Sequence, residues 1–379
     1  MSENYGCYIH IPFCLRKCPY CDFYSISDLS LYPGFVRALL TEIKLRQADC
    51  CIDTIYFGGG TPSLADPGDL EKILFSIHEN FNVAESCDIT LEVNPGALPR
   101  EFLRSVRSLG VNRLNIGVQS FNDDKLRFLN RIHSAGDAEQ AILTARASGF
   151  DNIGIDIIYG VPGEEKALVA ADLNTGLRFF PEHLSCYMLT FEPGTPFYRR
   201  MTQGRIHPLD EASSAALFKF TSRHLEKKGY LHYEISNFAH NRNLRSRHNR
   251  KYWHMAPYIG LGPSAHSFDK GVRSWNFRDV IQYTAALEKG RLPVMERESI
   301  SREQKLVEMI MLGLRTSNGV DIKKFEALSG QKFSCVFDSL LKPLMTRGLG
   351  GIKNDRFSLT LEGMLLLDSI VSQFADKIL

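Results

Sequence analysis

Short apolar runs alternate with amphipathic stretches through residues 1–200, and this alternation constrains the fold more than any other feature. Tyr5–Ile11, Thr54–Phe57, Asp88–Val93, Arg113–Val118, Asn152–Ile158 and His183–Leu189 read as strands. Between them Phe35, Val36, Leu39, Leu40 and Ile43 repeat at helical spacing. Leu70, Ile73, Leu74 and Ile77 do the same, after Asp66 as N-cap and Pro67 at the first helical position. Asp137 opens a further helix and Gly149 closes it. Strands separated by helices pair in parallel, because a parallel connection needs a crossover. Six such repeats predict an α/β fold, a partial (β/α)6 barrel of the TIM type that stays open on one side.

Barrels of this kind carry functional groups where strands end and the next loops begin. Cys14, Cys18 and Cys21 follow strand one, and Gly58-Gly-Gly-Thr61-Pro62 follows strand two. Glu92-Val-Asn94-Pro95 ends strand three, and Gln119-Ser-Phe follows strand four. Asp156 lies near the end of strand five, and Glu192-Pro-Gly-Thr ends strand six. The polar and glycine-rich punctuation therefore converges on one end of the predicted barrel.

After about residue 200 the alternation stops. Asp210–Gly229 reads as a capped helix, followed by an irregular stretch to about residue 277. Ser301–Arg315, Asp321–Leu328, Cys335–Arg347 and Leu361–Phe374 read as helices, with Gly351–Leu359 as a small hairpin. The expected division is 1–200 for the partial barrel, 201–300 for a connecting region and 301–379 for a C-terminal helical, winged-helix-like domain. No basic stripe accompanies the wing, and a net charge of +2 does not point to nucleic acid. Nine cysteines, an odd number crowded toward one end, do not form a disulfide framework. With no signal-peptide pattern before Tyr8 and no apolar run of membrane-spanning length, the expectation is a reduced, cytoplasmic protein. Cys7, Cys87, Cys186 and Cys335 read as structural side chains.

The spacing Cys14-x-x-x-Cys18-x-x-Cys21 admits two chemistries. A [4Fe–4S] cluster is usually held by four thiolates, so three leave one iron open to another ligand. Alternatively, His10 with the three cysteines forms a Cys3His set that suits zinc. The spacing closely resembles that of the radical S-adenosylmethionine (SAM) enzymes, in which SAM fills the open iron position through its amino and carboxylate groups. Tyr8, the three cysteines, Gly60-Thr61, Glu92, Gln119, Arg131 and Asp156 match, in order and spacing, the SAM-binding set of the oxygen-independent coproporphyrinogen III oxidase family. Ile-Tyr-Gly-Val-Pro (158–162) and Phe-Glu-Pro-Gly-Thr-Pro (191–196) are also similar to that family. The resemblance implies that Tyr8 lies beside the cluster and SAM, and that Gly60 and Thr61 meet the methionyl end. It likewise implies that Glu92 and Gln119 meet the ribose hydroxyls, Arg131 the carboxylate and Asp156 the nucleoside side.

Two departures separate the chain from the oxidase. The oxidase pattern places a further cysteine where this sequence has Phe23, and only seven residues precede Tyr8, too few for the substrate cover of the oxidase. His248-Asn249-Arg-Lys-Tyr252-Trp253 instead fits the H-N-x-x-Y-W signature of the HemW branch of the same family, regarded as heme chaperones. An imidazole can ligate heme iron. Tyr252 and Trp253 can pack on the macrocycle, and Arg245, Arg247, Arg250 and Lys251 can pair with propionates. His266, in Gly260-Leu-Gly262-Pro-Ser-Ala-His266, and His254 are further candidate ligands. The resemblance thus implies three cofactors: a [4Fe–4S] cluster, SAM and heme. Its expected partners are heme, a recipient apo-hemoprotein and an electron donor, and it leaves room for a homodimer and peripheral membrane contact. The competing expectation is an oxidase that decarboxylates coproporphyrinogen III with a 5′-deoxyadenosyl radical.

Overall fold

A computed structural model describes residues 4–96 and 98–379. Six strands lie side by side in chain order and all parallel: β1 (Tyr5–Ile11), β2 (Cys51–Gly59), β3 (Asn82–Val93), β4 (Arg113–Gln119), β5 (Ile153–Tyr159) and β6 (His183–Met188). Their crossovers carry α1 (Tyr32–Leu45), α2 (Pro67–Asn80), α3 (Arg100–Ser108), α4 (Asp123–Phe128), α5 (Ala135–Ala147) and α6 (Lys166–Leu177). Local chemistry sets these boundaries. The Asp66 side chain accepts from the Gly68 N–H with Pro67 at the first position of α2, and Ser134 and Asp137 form a reciprocal capping box on α5.

Beyond β6 the chain forms α7 (Pro196–Thr202), α8 (Glu211–Lys227), β7 (Leu231–His232), β8 (Asn237–Ala239) and α9 (Arg247–Trp253). It continues through β9 (Tyr258–Leu261), β10 (His266–Asp269), β11 (Val272–Asn276), α10 (Val280–Glu288) and β12 (Val294–Ser299). β8 pairs antiparallel with β6, whereas β9 pairs parallel with β1 and passes the sheet on to β10, β11 and β12. The result is one sheet of twelve strands in the order β12-β11-β10-β9-β1-β2-β3-β4-β5-β6-β8-β7. Both edges of the six-stranded stave are capped by other strands, so the barrel is open, as expected. The stretch read as irregular up to residue 277 differs from that expectation. It supplies β7 to β11, strands of only two to five residues that are too short to show a periodicity.

The six parallel strands bury most of their apolar side chains on their outer face, with Ile158 an exception that lines the interior. Cys7, Ile9, Ile11, Ile55, Phe57, Leu91, Ile116, Ile155, Ile157, Leu184 and Cys186 pack on the outer face beneath the helices. A parallel sheet covered on both faces reads as continuous apolar runs. Here the intervening residues are polar: Tyr56, Glu92, Arg113, Asn115, Gln119, Asp156, His183 and Ser185 face a lumen of about 740 Å³. A barrel interior left polar does not close on itself as a packed core, which leaves room for a ligand. Cys87 is buried with Cys7 and Cys186, but Cys335 is exposed and not a core residue, because its helix turns that position to solvent.

The C-terminal unit contains α11 (Arg302–Leu314), β13 (Val320–Asp321), α12 (Ile322–Ser329), α13 (Phe333–Thr346), β14 (Gly350–Lys353), β15 (Arg356–Leu359), α14 (Leu361–Met364) and α15 (Leu367–Ala375). The expected hairpin is β14–β15, turning through Asn354 and Asp355 at φ 51° and 56°. The helix expected over 361–374 is broken at Leu366, where ψ is 16°. A cluster of Phe325, Phe333, Phe337, Phe357 and Phe374 forms its core, with the Phe337 and Phe374 rings 4.6 Å apart.

One buried carboxylate ties the sheet extension to the barrel. Glu42 on α1, fully buried, accepts from Arg46 Nε (2.8 Å), Asn276 Nδ2 (2.7 Å), Tyr283 Oη (2.6 Å) and the Gly262 N–H (2.8 Å). Glu42→Ala strands four donors at once, and is expected to cost about 3–5 kcal/mol. Chemical denaturation checks this, and a loss of less than about 1 kcal/mol would show the network to be incidental.

Candidate functional site

The three cysteines lie on the loop after β1, at the end of the lumen where the parallel strands terminate, and all three line it. That loop is pinned by backbone: Ile26 N–H donates to Pro12 O (2.7 Å), Cys14 N–H to Ile26 O (2.9 Å) and Cys21 N–H to Cys18 O (3.2 Å). The glycine run after β2 grips its other side. Gly60 N–H donates to Ile11 O (2.8 Å) and Thr61 N–H to Phe13 O (2.8 Å). A Cβ on Gly60 would lie 2.6 Å from Phe13 O and 3.0 Å from Cys14 Sγ, so only glycine permits this approach.

A polar relay joins two of the cysteines. Arg131 donates from Nη1 to Cys18 Sγ (3.4 Å) and from Nη2 to Asn94 Oδ1 (2.6 Å) and Gly117 O (2.9 Å). Asn94 Nδ2 donates to Thr61 Oγ1 (2.9 Å), which is 3.6 Å from Cys14 Sγ. The sequence places Asn94 in the segment that ends strand three without giving its side chain a role. Its position two residues beyond Glu92 on the same strand face is the signal that finds it.

Glu92 accepts from Tyr56 Oη at 2.7 Å. Burial pushes its carboxyl up to about 7, against the opposing pull of that hydrogen bond. Asp156 accepts from Asn115 Nδ2 (2.8 Å), its other oxygen is buried without a partner, and burial raises its pKa as well. Gln119 ends β4 with φ 66°, at a register shift against β5. A non-glycine residue held there stores about 1–3 kcal/mol. Gln119→Gly is expected to raise stability by about 0.5–1 kcal/mol, measured by thermal denaturation; an unchanged midpoint would show that the backbone is not strained there.

The structure thus brings Cys14, Cys18, Cys21, Gly60, Thr61, Glu92, Gln119, Arg131 and Asp156 around one lumen. Tyr8 stands in its wall instead, stacked on Tyr56 at 6.2 Å and 3.1 Å from His10 Nδ1. His10 also uses Nε2 toward Tyr24 O (2.8 Å), and burial lowers its pKa to about 4. With both ring nitrogens engaged it does not complete a Cys3His zinc set. Three cysteines at the mouth, a glycine cradle and a lone buried oxygen on Asp156 supply the donor types that a cluster with a small polar ligand needs, although among the described residues no three of these side chains are gathered closely enough to hold a metal ion.

The residues expected around heme are dispersed. His248 on α9 points into the barrel wall, 2% exposed, with Nδ1 2.9 Å from Thr54 Oγ1 and Nε2 2.8 Å from Tyr252 Oη. Its ring stacks on Tyr56 at 5.1 Å. Asn249 lines the lumen, whereas Trp253 lies beneath the Arg315 guanidinium at 5.2 Å. Arg247 and Lys251 are spent on Asp53, at 3.5 and 2.7 Å. His254 and His266 are exposed, and His266 stacks on Trp275 at 5.7 Å on the sheet extension.

Comparison with known proteins agrees with this geometry. Residues 8–174 match the Radical SAM superfamily, and residues 300–366 match the HemN C-terminal domain. The chain is 34% identical to a Bacillus subtilis protein named heme chaperone HemW, covering 98% of this chain and 99% of that one. It is also 34% identical to the mitochondrial radical S-adenosyl methionine domain-containing protein 1 of Danio rerio, over 96% and 85% of the two chains. The solved structure of coproporphyrinogen III oxidase (HemN) from Escherichia coli superposes with a TM-score of 0.84 at 23% identity, covering 99% of this chain and 90% of that one, and so shares the fold. A lumen bordered by three cysteines, set in a chain that aligns end to end with these relatives, places the protein in the HemW family of the radical SAM superfamily.

Proposed function

We propose that this protein binds heme and delivers it to an apo-hemoprotein, and that it carries a [4Fe–4S] cluster on Cys14, Cys18 and Cys21 with SAM at the open iron. The observation that carries this reading is the end-to-end alignment with a relative named heme chaperone, together with Phe23 in place of a further cysteine. Phe23 is 68% exposed at the lumen mouth. A cluster held by Cys14, Cys18 and Cys21 would supply one-electron reducing chemistry toward SAM, with the electron coming from a separate donor. The chain's own residues do the holding. Gly60 and Thr61 present backbone to the methionyl end, and Arg131 offers its guanidinium to the carboxylate. Glu92 and Gln119 face the ribose, and Asp156 accepts from the nucleoside side.

For heme iron the two exposed candidate imidazoles are His254 and His266, and neither ring is hydrogen-bonded among the described residues. The test is anaerobic reconstitution followed by heme titration, read by absorbance, on wild type, His254→Ala and His266→Ala, with coproporphyrinogen III turnover assayed in the same samples. Stoichiometric heme binding without turnover is expected, lost in one of the two variants. Decarboxylation with weak heme binding would overturn the reading in favour of the oxidase.

A further inference from the structure

Opposite the cysteines, the lumen ends in cationic side chains that make no direct ion pair among the described residues. Arg113 and His183 begin β4 and β6, while the cysteines follow the end of β1, so the parallel sheet puts them at opposite ends of one cavity. Arg113 is 2% exposed, and its guanidinium donates to the Leu244 carbonyl at 3.2 Å. Arg315, at the end of α11, lines the same floor with its Nε buried and unpartnered. None of the ion pairs among the described residues includes either arginine. The neighbouring acids lie beyond 4 Å: Asp156, which feels the charge of Arg113, accepts from Asn115 Nδ2, and Glu234, which feels that of Arg315, spends its carboxylate on the Asn237 amide and the Ser236 N–H. His183, 1% exposed, donates or accepts at Nε2 with Tyr233 Oη (2.7 Å) and leaves Nδ1 without a partner.

A guanidinium withdrawn from water without an anion is costly, and arginine does not shed its proton to escape that cost. Arg113, buried, and Arg315, half-buried with its Nε unpartnered, face one cavity beside the free Nδ1 of His183, and together form a floor suited to an anionic ligand. Their planar forks suit a carboxylate, which accepts two parallel hydrogen bonds. We propose that Arg113 and Arg315 form a carboxylate subsite at the floor of the lumen, separate from the SAM residues, gripping the acidic end of a ligand that extends toward the cluster. Arg113 belongs to the barrel and Arg315 to the C-terminal unit, so the occupied subsite also bridges the two. The carboxylate comes either from a propionate arm of a tetrapyrrole, which rests on the heme reading above, or from a small free acid, which does not.

Trp253, under Arg315, reports on the subsite without any catalytic readout. The chain has two tryptophans, so Trp275→Phe isolates Trp253. In that background glutarate is titrated by Trp253 emission, and heme and heme dimethyl ester are titrated by absorbance, in full-length protein with and without Arg113→Gln or Arg315→Gln. The expected result is a saturable glutarate response, or a preference for heme over its ester of about tenfold or more, equivalent to about 1.4 kcal/mol, abolished in both variants. A glutarate response assigns a free acid, and ester discrimination alone assigns a propionate. No glutarate response with equal binding of heme and ester overturns the proposal, as do variants that behave like wild type. Glutarate binding without any heme binding leaves the subsite standing and defeats the heme reading. Arg315→Gln, at a partly exposed position, decides the matter should Arg113→Gln fail to fold.

Discussion

Gly60→Ala is expected to abolish cluster assembly, although the substitution adds a single methyl group and touches no cysteine. The new Cβ meets the Phe13 carbonyl at 2.6 Å and its carbon at 2.9 Å, both backbone atoms inside the loop that presents Cys14. No rotamer relieves a clash with backbone. Either the β2 turn or the cysteine loop must retreat, and the Gly60 N–H to Ile11 O and Thr61 N–H to Phe13 O bonds lengthen with it. Overpacking of this kind costs about 1–3 kcal/mol. The functional loss exceeds the stability loss, because three thiolates must converge on one cluster to within a fraction of an ångström. Iron and sulfide content after anaerobic reconstitution, with urea denaturation alongside, measures both. Gly136→Ala is the control, since its Cβ would meet nothing closer than 3.8 Å. Wild-type iron content in Gly60→Ala would show that the loop adapts and that the cradle is not required.

His248→Ala is expected to destabilise the protein by about 3–5 kcal/mol, the range for deleting a large buried ring. Its imidazole fills the space between Gly6, Tyr8 and Tyr56 and satisfies both Thr54 and Tyr252. Loss of heme binding in that variant would therefore report on the barrel wall as much as on any ligand. A pH comparison separates the two roles. Burial lowers the His248 pKa to about 3, from an ordinary 6.5. The unfolded chain takes up the proton first, so the contribution of His248 is complete above pH 6.5 and is lost as pH falls from there toward 3. Between pH 7.5 and 5.5, wild type is expected to lose about 1.4 kcal/mol more than His248→Gln. Equal losses would mean that the imidazole is not held neutral. An axial role predicts a changed heme spectrum in His248→Gln at pH 7.5 with stability otherwise close to wild type.

The two halves of the site differ in how openly the sequence displays them. The cysteine triad, Gly60-Thr61, Glu92 and Gln119 stand at strand ends, and a parallel βα repeat carries every strand end to the same rim. Those positions could be grouped without coordinates. Asp156, expected near the end of strand five, sits at its middle and joins the site through the inward-facing side of the strand. The polar lining is equally visible in the sequence: Arg113-Leu-Asn-Ile-Gly-Val-Gln119 and His183-Leu-Ser-Cys-Tyr187 alternate strictly, which a doubly covered parallel strand has no reason to do. Asn94, which links Thr61 to Arg131, belongs to the same pattern. The His248-Asn-x-x-Tyr-Trp segment is the opposite case. Its composition suits a ligand surface and a buried wall equally well, and α9 has only seven residues with which to declare a face.

Local sequence was enough to determine the strand–helix order, the helix caps, the wing and the end of the barrel that carries the cysteines, because periodicity, capping and the direction of parallel strands act over a few residues. Tertiary structure alone decided that β9 docks on β1 and carries β10 to β12 with it, that both His248 nitrogens are already engaged, and that Arg113 and Arg315, 202 residues apart in the chain, line one lumen. Each of these depends on which distant partner fills a hydrogen-bonding edge or compensates a buried charge. A chain does not reveal that partner until it has closed upon itself.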